Sequence, residues 1–260
     1  MKNYHTHTTR CGHATGTDAA YVKAALKAGY TELGFSDHSP MIFPNPDEYY
    51  SNFRMKVEDA ADYARSVRAL QEEYKDEIKI FLGFELEYYP ELFEETEQFL
   101  SQFDYDFLIL GQHFIGNEYE EGASYNGSAS DNPLLFDRYI SQTLDGLATG
   151  KFLYLAHPDL FNWTGDEKTY INKMTYFCRE IKKLGIPIEF NMLGFYDNRN
   201  YPDKRFWKIA AEVGNDVVIG IDAHTPTAFR RKLLLKIAQK YLSDLGITPL
   251  DGLKIKRKKD

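Results

Sequence analysis

The stretch His5-Thr-His-Thr-Thr-Arg-Cys-Gly-His13 holds three of the seven histidines of a 260-residue chain. Imidazole is the commonest ligand for zinc, copper, iron and nickel, and carboxylates bridge ions or admit harder ones. His5 and His7, like Asp222 and His224, stand two apart, so in extended chain their side chains leave one face and can converge on one point. A single histidine near a strand end is as readily a hydrogen-bonded structural residue. The argument for metal rests on number and placement together. Nine groups, His5, His7, His13, His38, Glu85, His113, His157, Asp222 and His224, exceed the four or five that one zinc takes, so the set calls for two or three divalent ions. Cys11 reads as a small buried residue of a tight loop, which leaves a set without thiolate and favours catalytic over structural zinc. Manganese and iron suit the same ligands. Paired ions can share a hydroxide, polarise a phosphoryl oxygen and stabilise a leaving oxygen, which points to hydrolysis of a phosphate ester.

Such a set needs elements that bring it to one place. Strand-like runs are expected over 3–7, 32–36, 78–85, 107–111, 152–156, 186–190 and 217–221. Helical spacing is expected over 18–28, 57–74, 90–102, 133–147, 168–184, 204–213 and 227–242, with Thr17 or Asp18 at an N-cap and Gly29, Gly185 and Gly214 past a last turn. The alternation predicts an α/β fold with parallel pairing: a distorted (β/α)7 TIM-like barrel forming one domain over 1–260, with an open doubly wound sheet as the competing arrangement. His5 and His7 close the first strand, with His13 in the loop beyond, and Asp37 and His38 follow the second. Glu85 ends the third, His113 follows the fourth, His157 the fifth, Asn191 the sixth, and Asp222 and His224 the seventh. In a parallel barrel these ends share one face, where active sites are built. The loops 39–56 and 114–132 would overhang it.

Composition narrows the partners. A net charge of −8 supplies no basic surface for a phosphate backbone, so nucleic acid is not expected. The N-terminus lacks the apolar core of a signal peptide and no run suits a membrane span, so a cytoplasmic protein without a membrane partner is expected. Two cysteines make no disulfide framework. The basic residues Lys254, Lys256, Arg257, Lys258 and Lys259 read as a solvated tail. No aspartyl-nucleophile stretch, Cys-x5-Arg loop, nucleophile elbow or Walker loop is present, which argues against a covalent nucleophile. Oligomeric state is not legible.

In order along the chain, His5-Thr-His7, His13, Ser36-Asp37-His38, Gly83-Phe-Glu85, Gly111-Gln-His113, Ala156-His157-Pro158 and Ile221-Asp222-Ala-His224 resemble the motifs of the polymerase and histidinol phosphatase (PHP) family. The resemblance implies a distorted seven-unit barrel with up to three divalent metals. His5, His7, Glu85 and Asp222 would hold one ion, with Glu85 bridging to a second held by His113 and His157. His13, His38 and His224 would hold the third, and Glu87 would be structural or supporting. Gly111-Gln-His113-Phe, His157-Pro-Asp-Leu-Phe161, Glu189-Phe-Asn191 and Asn198-Arg-Asn-Tyr-Pro202 are similar to the monofunctional histidinol-phosphate phosphatases within that family. That similarity implies cleavage of L-histidinol phosphate, a step of histidine biosynthesis, by a hydroxide bridging two ions.

An arginine suits the phosphate, Arg199 first and Arg10 and Arg54 behind it. Asp159, Asp222 or a metal-bound water would protonate the leaving group. Asn191 and the acidic run Glu118, Tyr119, Glu120 and Glu121 are candidates for contacting the substrate. The competing functions are a related phosphoesterase acting on a nucleotide, sugar phosphate or phosphotyrosine, and a non-catalytic metal-binding module.

Overall fold

The computed structural model describes residues 1–45 and 51–255. The basic residues expected at 256–259, and residues 46–50 of the first long loop, lie outside the described residues.

The chain runs through β1 (Lys2–Asn3), α1 (Asp18–Ala28), β2 (Glu32–His38), α2 (Ala60–Glu73), β3 (Lys79–Leu86), α3 (Phe93–Ser101) and β4 (Phe107–Leu110). A short antiparallel pair, β5 (Phe114–Ile115) and β6 (Ser124–Tyr125), interrupts the following loop. Then come α4 (Pro133–Ala148), α5 (Glu167–Leu184), β7 (Ile188–Asn191), α6 (Met192–Asp197), α7 (Lys204–Val213), β8 (Val217–Gly220) and α8 (Lys232–Asp244). Helix ends carry the signals read from sequence: Thr17 accepts from the Ala20 amide ahead of α1, and Gly29 closes it at φ 86°.

Strands β1 to β4 pair in parallel in sequence order, and β7 pairs in parallel with β8. Leu155 joins the two groups by isolated parallel bridges to Leu110 and Ile188. Past β8, Ala223 bridges in parallel to Thr6. The result is a mixed α/β fold around a curled parallel sheet. The segment expected as a strand over 152–156 pairs on both sides: the Leu153 and Ala156 amides donate to the Leu108 and Leu110 carbonyls at 2.8 Å, the Leu155 amide donates to the Pro187 carbonyl at 3.0 Å, and the chain leaves the sheet at His157, where φ is +30°. Other expectations shift. Helix α3 starts at Phe93 rather than at residue 90, and the helix expected over 227–242 divides into a 3-10 segment, Pro226–Arg230, and α8. Helix α6 was not anticipated; Asn191 caps it by accepting from the Gly194 amide.

The pleat sorts side chains between two environments. Leu33, Phe35, Ile80, Leu82, Phe84, Leu108, Leu110 and Phe190 pack outward into the large core shared with the helices. Alternate residues face inward, as period-2 geometry requires. Near the strand starts these are Tyr4, Phe81, Phe107, Ile109, Tyr154 and Val218, which form a separate apolar plug closed from below by Leu253 and Ile255. Gly34 and Gly83 make room for it, since a Cβ at either would come within 2.7 or 2.5 Å of the Phe107 ring. Further along the same strands the inward residues turn polar. Among the described residues, no helix is long and apolar enough to cross a membrane.

Candidate metal centre

At the strand ends the inward positions hold His5, His7, His38, Glu85, His157 and Asp222, all buried, with His113 and His224 partly buried and His13 exposed at the rim. Glu85 occupies the middle. Its Oε2 lies 3.0 Å from His38 Nδ1, 3.4 Å from His5 Nε2 and 3.5 Å from His7 Nε2. Its Oε1 lies 3.0 Å from His157 Nε2 and 3.8 Å from His113 Nε2. Gly111 makes this possible, since a Cβ there would come within 2.0 Å of Oε1. Asp222 Oδ1 stands 3.1 Å from His7 Nε2, 3.2 Å from His224 Nδ1 and 3.5 Å from His5 Nε2. At the rim, His224 Nε2 and His13 Nε2 face each other at 3.0 Å.

These residues satisfy a direct test of fit to divalent metal. His5 Nε2, His7 Nε2, His38 Nδ1, Glu85 Oε2 and Asp222 Oδ1 are buried and hydrogen-bonded to nothing. Buried polar atoms are normally partnered, and orphans that converge from separate strands are what a cation would satisfy. Groups close enough to share an ion include His5, His7 and Asp222; His38, Glu85 and His113; and His7, His38 and His224. Cys11 Sγ also comes within reach of His13 and His224, although it donates to the Thr8 carbonyl at 3.1 Å.

The outward imidazole nitrogens are held from behind. Glu189 Oε1 is 2.8 Å from His5 Nδ1, Asp37 Oδ1 3.3 Å from His7 Nδ1, and Glu87 Oε1 2.7 Å from His113 Nδ1. Such carboxylates fix the ring and its tautomer and make the inward nitrogen a better donor to metal. Glu189 was missed as a supporting residue at the sequence level, although it precedes Asn191 by two on one strand face. Asn191 donates to Glu189 Oε2 at 2.9 Å and to Asp222 Oδ2 at 3.0 Å.

The electrostatics follow from crowding. Burial works against charge on His5, but Glu189, Asp222 and Glu85 outweigh it and hold the imidazole pKa well above its ordinary value. Burial likewise opposes ionisation of Glu85 and Asp222, and the surrounding histidines reverse that, holding both well below the usual carboxylate range. Burial pushes His38 well down, with His7, His113 and His13 adding to the effect against Glu85. His157 and Asp222 both take left-handed backbone, at φ 30° and 50°, a strain that concentrates at functional sites.

A cavity of about 640 Å³ opens directly over this cluster. Arg199 lines it, donating to Tyr201 Oη at 3.1 Å and to Asp197 at 3.2 Å. Phe53, Phe114, Tyr125 and Tyr201 supply an aromatic wall, and Arg231 stands at the rim. Arg199 was singled out in the sequence and Phe114 and Tyr201 stand in the motifs quoted there without a role, whereas Phe53, Tyr125 and Arg231 carry no spacing signal.

The other residues expected around the substrate have different partners. Arg10 turns away to Asp18 at 2.9 Å and Asp62 at 2.7 Å. Arg54 and Glu118 are buried against each other. Asn191 spends its amide on Glu189, Asp222 and the start of α6. Asp159 lies buried behind the site, accepting from the Asp203 amide at 2.6 Å and from Trp207 Nε1 at 3.0 Å. Tyr119 Oη accepts from Asn45, and Glu120 accepts from Asn117. Each is removed from the cavity by a local hydrogen-bond or ion-pair partner that sequence spacing does not reveal.

The PHP domain family matches residues 3–193 of the chain. A probable histidinol-phosphatase of Deinococcus radiodurans is 31% identical over 85% of this chain and 85% of its own length. One of Schizosaccharomyces pombe is 24% identical over 95% of this chain and 87% of its own. The crystal structure of histidinol phosphate phosphatase from Lactococcus lactis, complexed with zinc, L-histidinol and phosphate, matches with a TM-score of 0.74 at 22% identity, covering 98% of both chains. It has the same curled-sheet fold.

Proposed function

This chain belongs to the PHP domain family, and from that premise we propose that it is a metal-dependent histidinol-phosphatase converting L-histidinol phosphate to L-histidinol and phosphate. The observation that carries the reading is the convergence of unpartnered buried nitrogen and oxygen atoms beneath a cavity sized for a small molecule. Its support from relatives is the shared name at 31% identity and the zinc, histidinol and phosphate held by the solved structure.

We assign two or three zinc ions. His5, His7, Glu85 and Asp222 would hold one, Glu85 with His113 and His157 a second, and His13, His38 and His224 a third. Divalent ions supply Lewis acidity toward phosphoryl oxygens and make water nucleophilic near neutral pH. The chain's own residues do the rest. Asp222, held ionised by His5, His224 and His7, serves as a ligand rather than a proton donor. Asp159, whose pKa burial pushes up to about 7, is engaged by the Trp207 indole and the Asp203 amide and is not assigned as the proton donor. Arg199 lines the cavity, and its planar guanidinium suits a phosphate oxygen pair. Phe53, Phe114 and Tyr125 offer flat faces to the substrate's imidazole ring. For the fold we infer a closed, distorted (β/α)7 barrel forming one domain over 1–260. The bridges at Leu155 and between Thr6 and Ala223 support closure.

The test is kcat/KM for L-histidinol phosphate beside 4-nitrophenyl phosphate and a nucleoside monophosphate, on protein of measured metal content. A preference of several decades for L-histidinol phosphate is expected. Comparable slow rates on all three would keep the metal chemistry and overturn the substrate.

A further inference from the structure

Arg54 is a charged side chain for which the proposed chemistry has no direct use, yet it is 1% exposed. A buried charge persists only where partners meet it with good geometry. Its Nε donates to Glu118 Oε1 at 2.8 Å and its Nη2 to Glu118 Oε2, a two-pronged contact. Nη1 donates to Glu87 Oε2 at 2.8 Å and to the Ser39 carbonyl at 3.1 Å. Tyr89 Oη adds a bond to Glu118 Oε2 at 2.8 Å. Glu87 spends its other oxygen, Oε1, on His113 Nδ1 at 2.7 Å. The chain of contacts therefore runs Glu118, Arg54, Glu87, His113, from the loop after β5 to the side chain that faces Glu85.

The charges explain the direction in which such a chain would act. Two buried carboxylates against one guanidinium leave an excess of one negative charge beside His113, which favours a cation on the far side of that imidazole. Only a planar fork can meet Glu118 with two nitrogens and still reach Glu87, so lysine cannot replace it in kind.

We propose that Arg54 and Glu118 are positioning residues for the metal centre, locking Glu87 onto His113 and thereby setting the affinity of the ion that His113 helps hold. The proposal rests on the metal site assigned above but not on the substrate. It is tested with Glu118→Gln, Arg54→Lys and Glu87→Gln in the full chain. Zinc affinity is read by chelator competition on metal-depleted protein, and kcat and KM are measured separately.

The expected result is that Glu118→Gln and Arg54→Lys each weaken one zinc equivalent by about 10- to 100-fold and leave the remaining zinc unchanged. In a Glu87→Gln background the Arg54→Lys effect should vanish, because the link it acts through is gone. Lower thermal stability with unaltered zinc affinities would overturn the proposal, as would effects that simply add to that of Glu87→Gln. If Arg54→Lys does not fold, Glu118→Gln paired with Glu87→Gln completes the same cycle. Zinc affinities that respond as expected, in a protein without activity on L-histidinol phosphate, would support the strut and overturn the substrate reading alone.

Discussion

The inside of the curled sheet is two regions built by the same strands. Near the strand starts Tyr4, Phe81, Phe107, Ile109 and Val218 meet as an apolar plug, and a few residues later His5, Glu85, His113 and Asp222 meet as a cage of charge. Along β3 the inward register runs from Phe81 through Gly83 to Glu85, so on this strand the pleat alone does not distinguish the two regions, although His157 and Asp222 enter the cage on left-handed backbone. What differs is how each offsets its own burial. The plug gains stability from area removed from water, whereas the cage buries nitrogen and oxygen atoms that make no hydrogen bond within the protein. One strand set thus carries stability at one end and chemistry at the other.

The largest effect should come from Glu85, which faces five histidines. Glu85→Gln keeps the volume and removes the charge. Several kcal/mol of metal-dependent transition-state stabilisation are at stake, so kcat/KM should fall by about 10³-fold or more. Bound metal, read by elemental analysis, should fall with it. Retained metal and activity would mean that the cage is held by its imidazoles alone.

A paired change tests the boundary between the regions. Gly83→Ala would drive a methyl to 2.5 Å from Phe107, and Gly111→Ala would drive one to 2.0 Å from Glu85 Oε1. Both are small-to-large changes in a packed interior, with a typical cost of about 1–3 kcal/mol. Gly83→Ala should spend it on stability, lowering the denaturation midpoint while zinc content holds. Gly111→Ala should instead displace Glu85 and lower zinc content and kcat. If both variants lose zinc equally, the plug and the cage are one mechanical unit and the division fails.

The sequence made the cage more legible than its surroundings. All seven histidines fall at or just beyond expected strand ends, with His5/His7 and Asp222/His224 at spacing two, so His5, His7, Glu85 and Asp222 could be placed near one another before any coordinates. The outer wall and supports were not legible for a physical reason. Phe53 reaches the cavity from a loop and Tyr125 from the two-residue β6, too short to show a period. Arg54 was a candidate phosphate ligand, behind Arg199, for its planar fork, and the packed structure places Glu87 and Glu118 around it. The apolar run at 152–156 was legible as a strand, and it does pair between residues 108–110 and 187–189 before His157 turns out of the sheet.

The smallest effect sharpens the comparison by moving a carboxylate out of the cage. Asp159 is as buried as Glu85, but it faces Asp203 and Trp207 instead of imidazoles. Burial pushes its pKa up to about 7, whereas the histidines hold Glu85 and Asp222 down. The folded protein therefore keeps a proton on Asp159 that the unfolded chain, with an ordinary carboxyl near 3.9, releases. Because the unfolded state binds fewer protons between about pH 4 and 7, this group's contribution to stability is full below that window and is lost as pH rises, by at most about 1.4 kcal/mol per pH unit. Asp159→Asn mimics the protonated form and should remove that part of the slope, seen as a difference between the two proteins in chemical unfolding at pH 5, 6 and 7. Parallel slopes would mean that the Asp203 amide and Trp207 indole already hold Asp159 ionised. Burial alone would then not separate a carboxylate outside the cage from those within it.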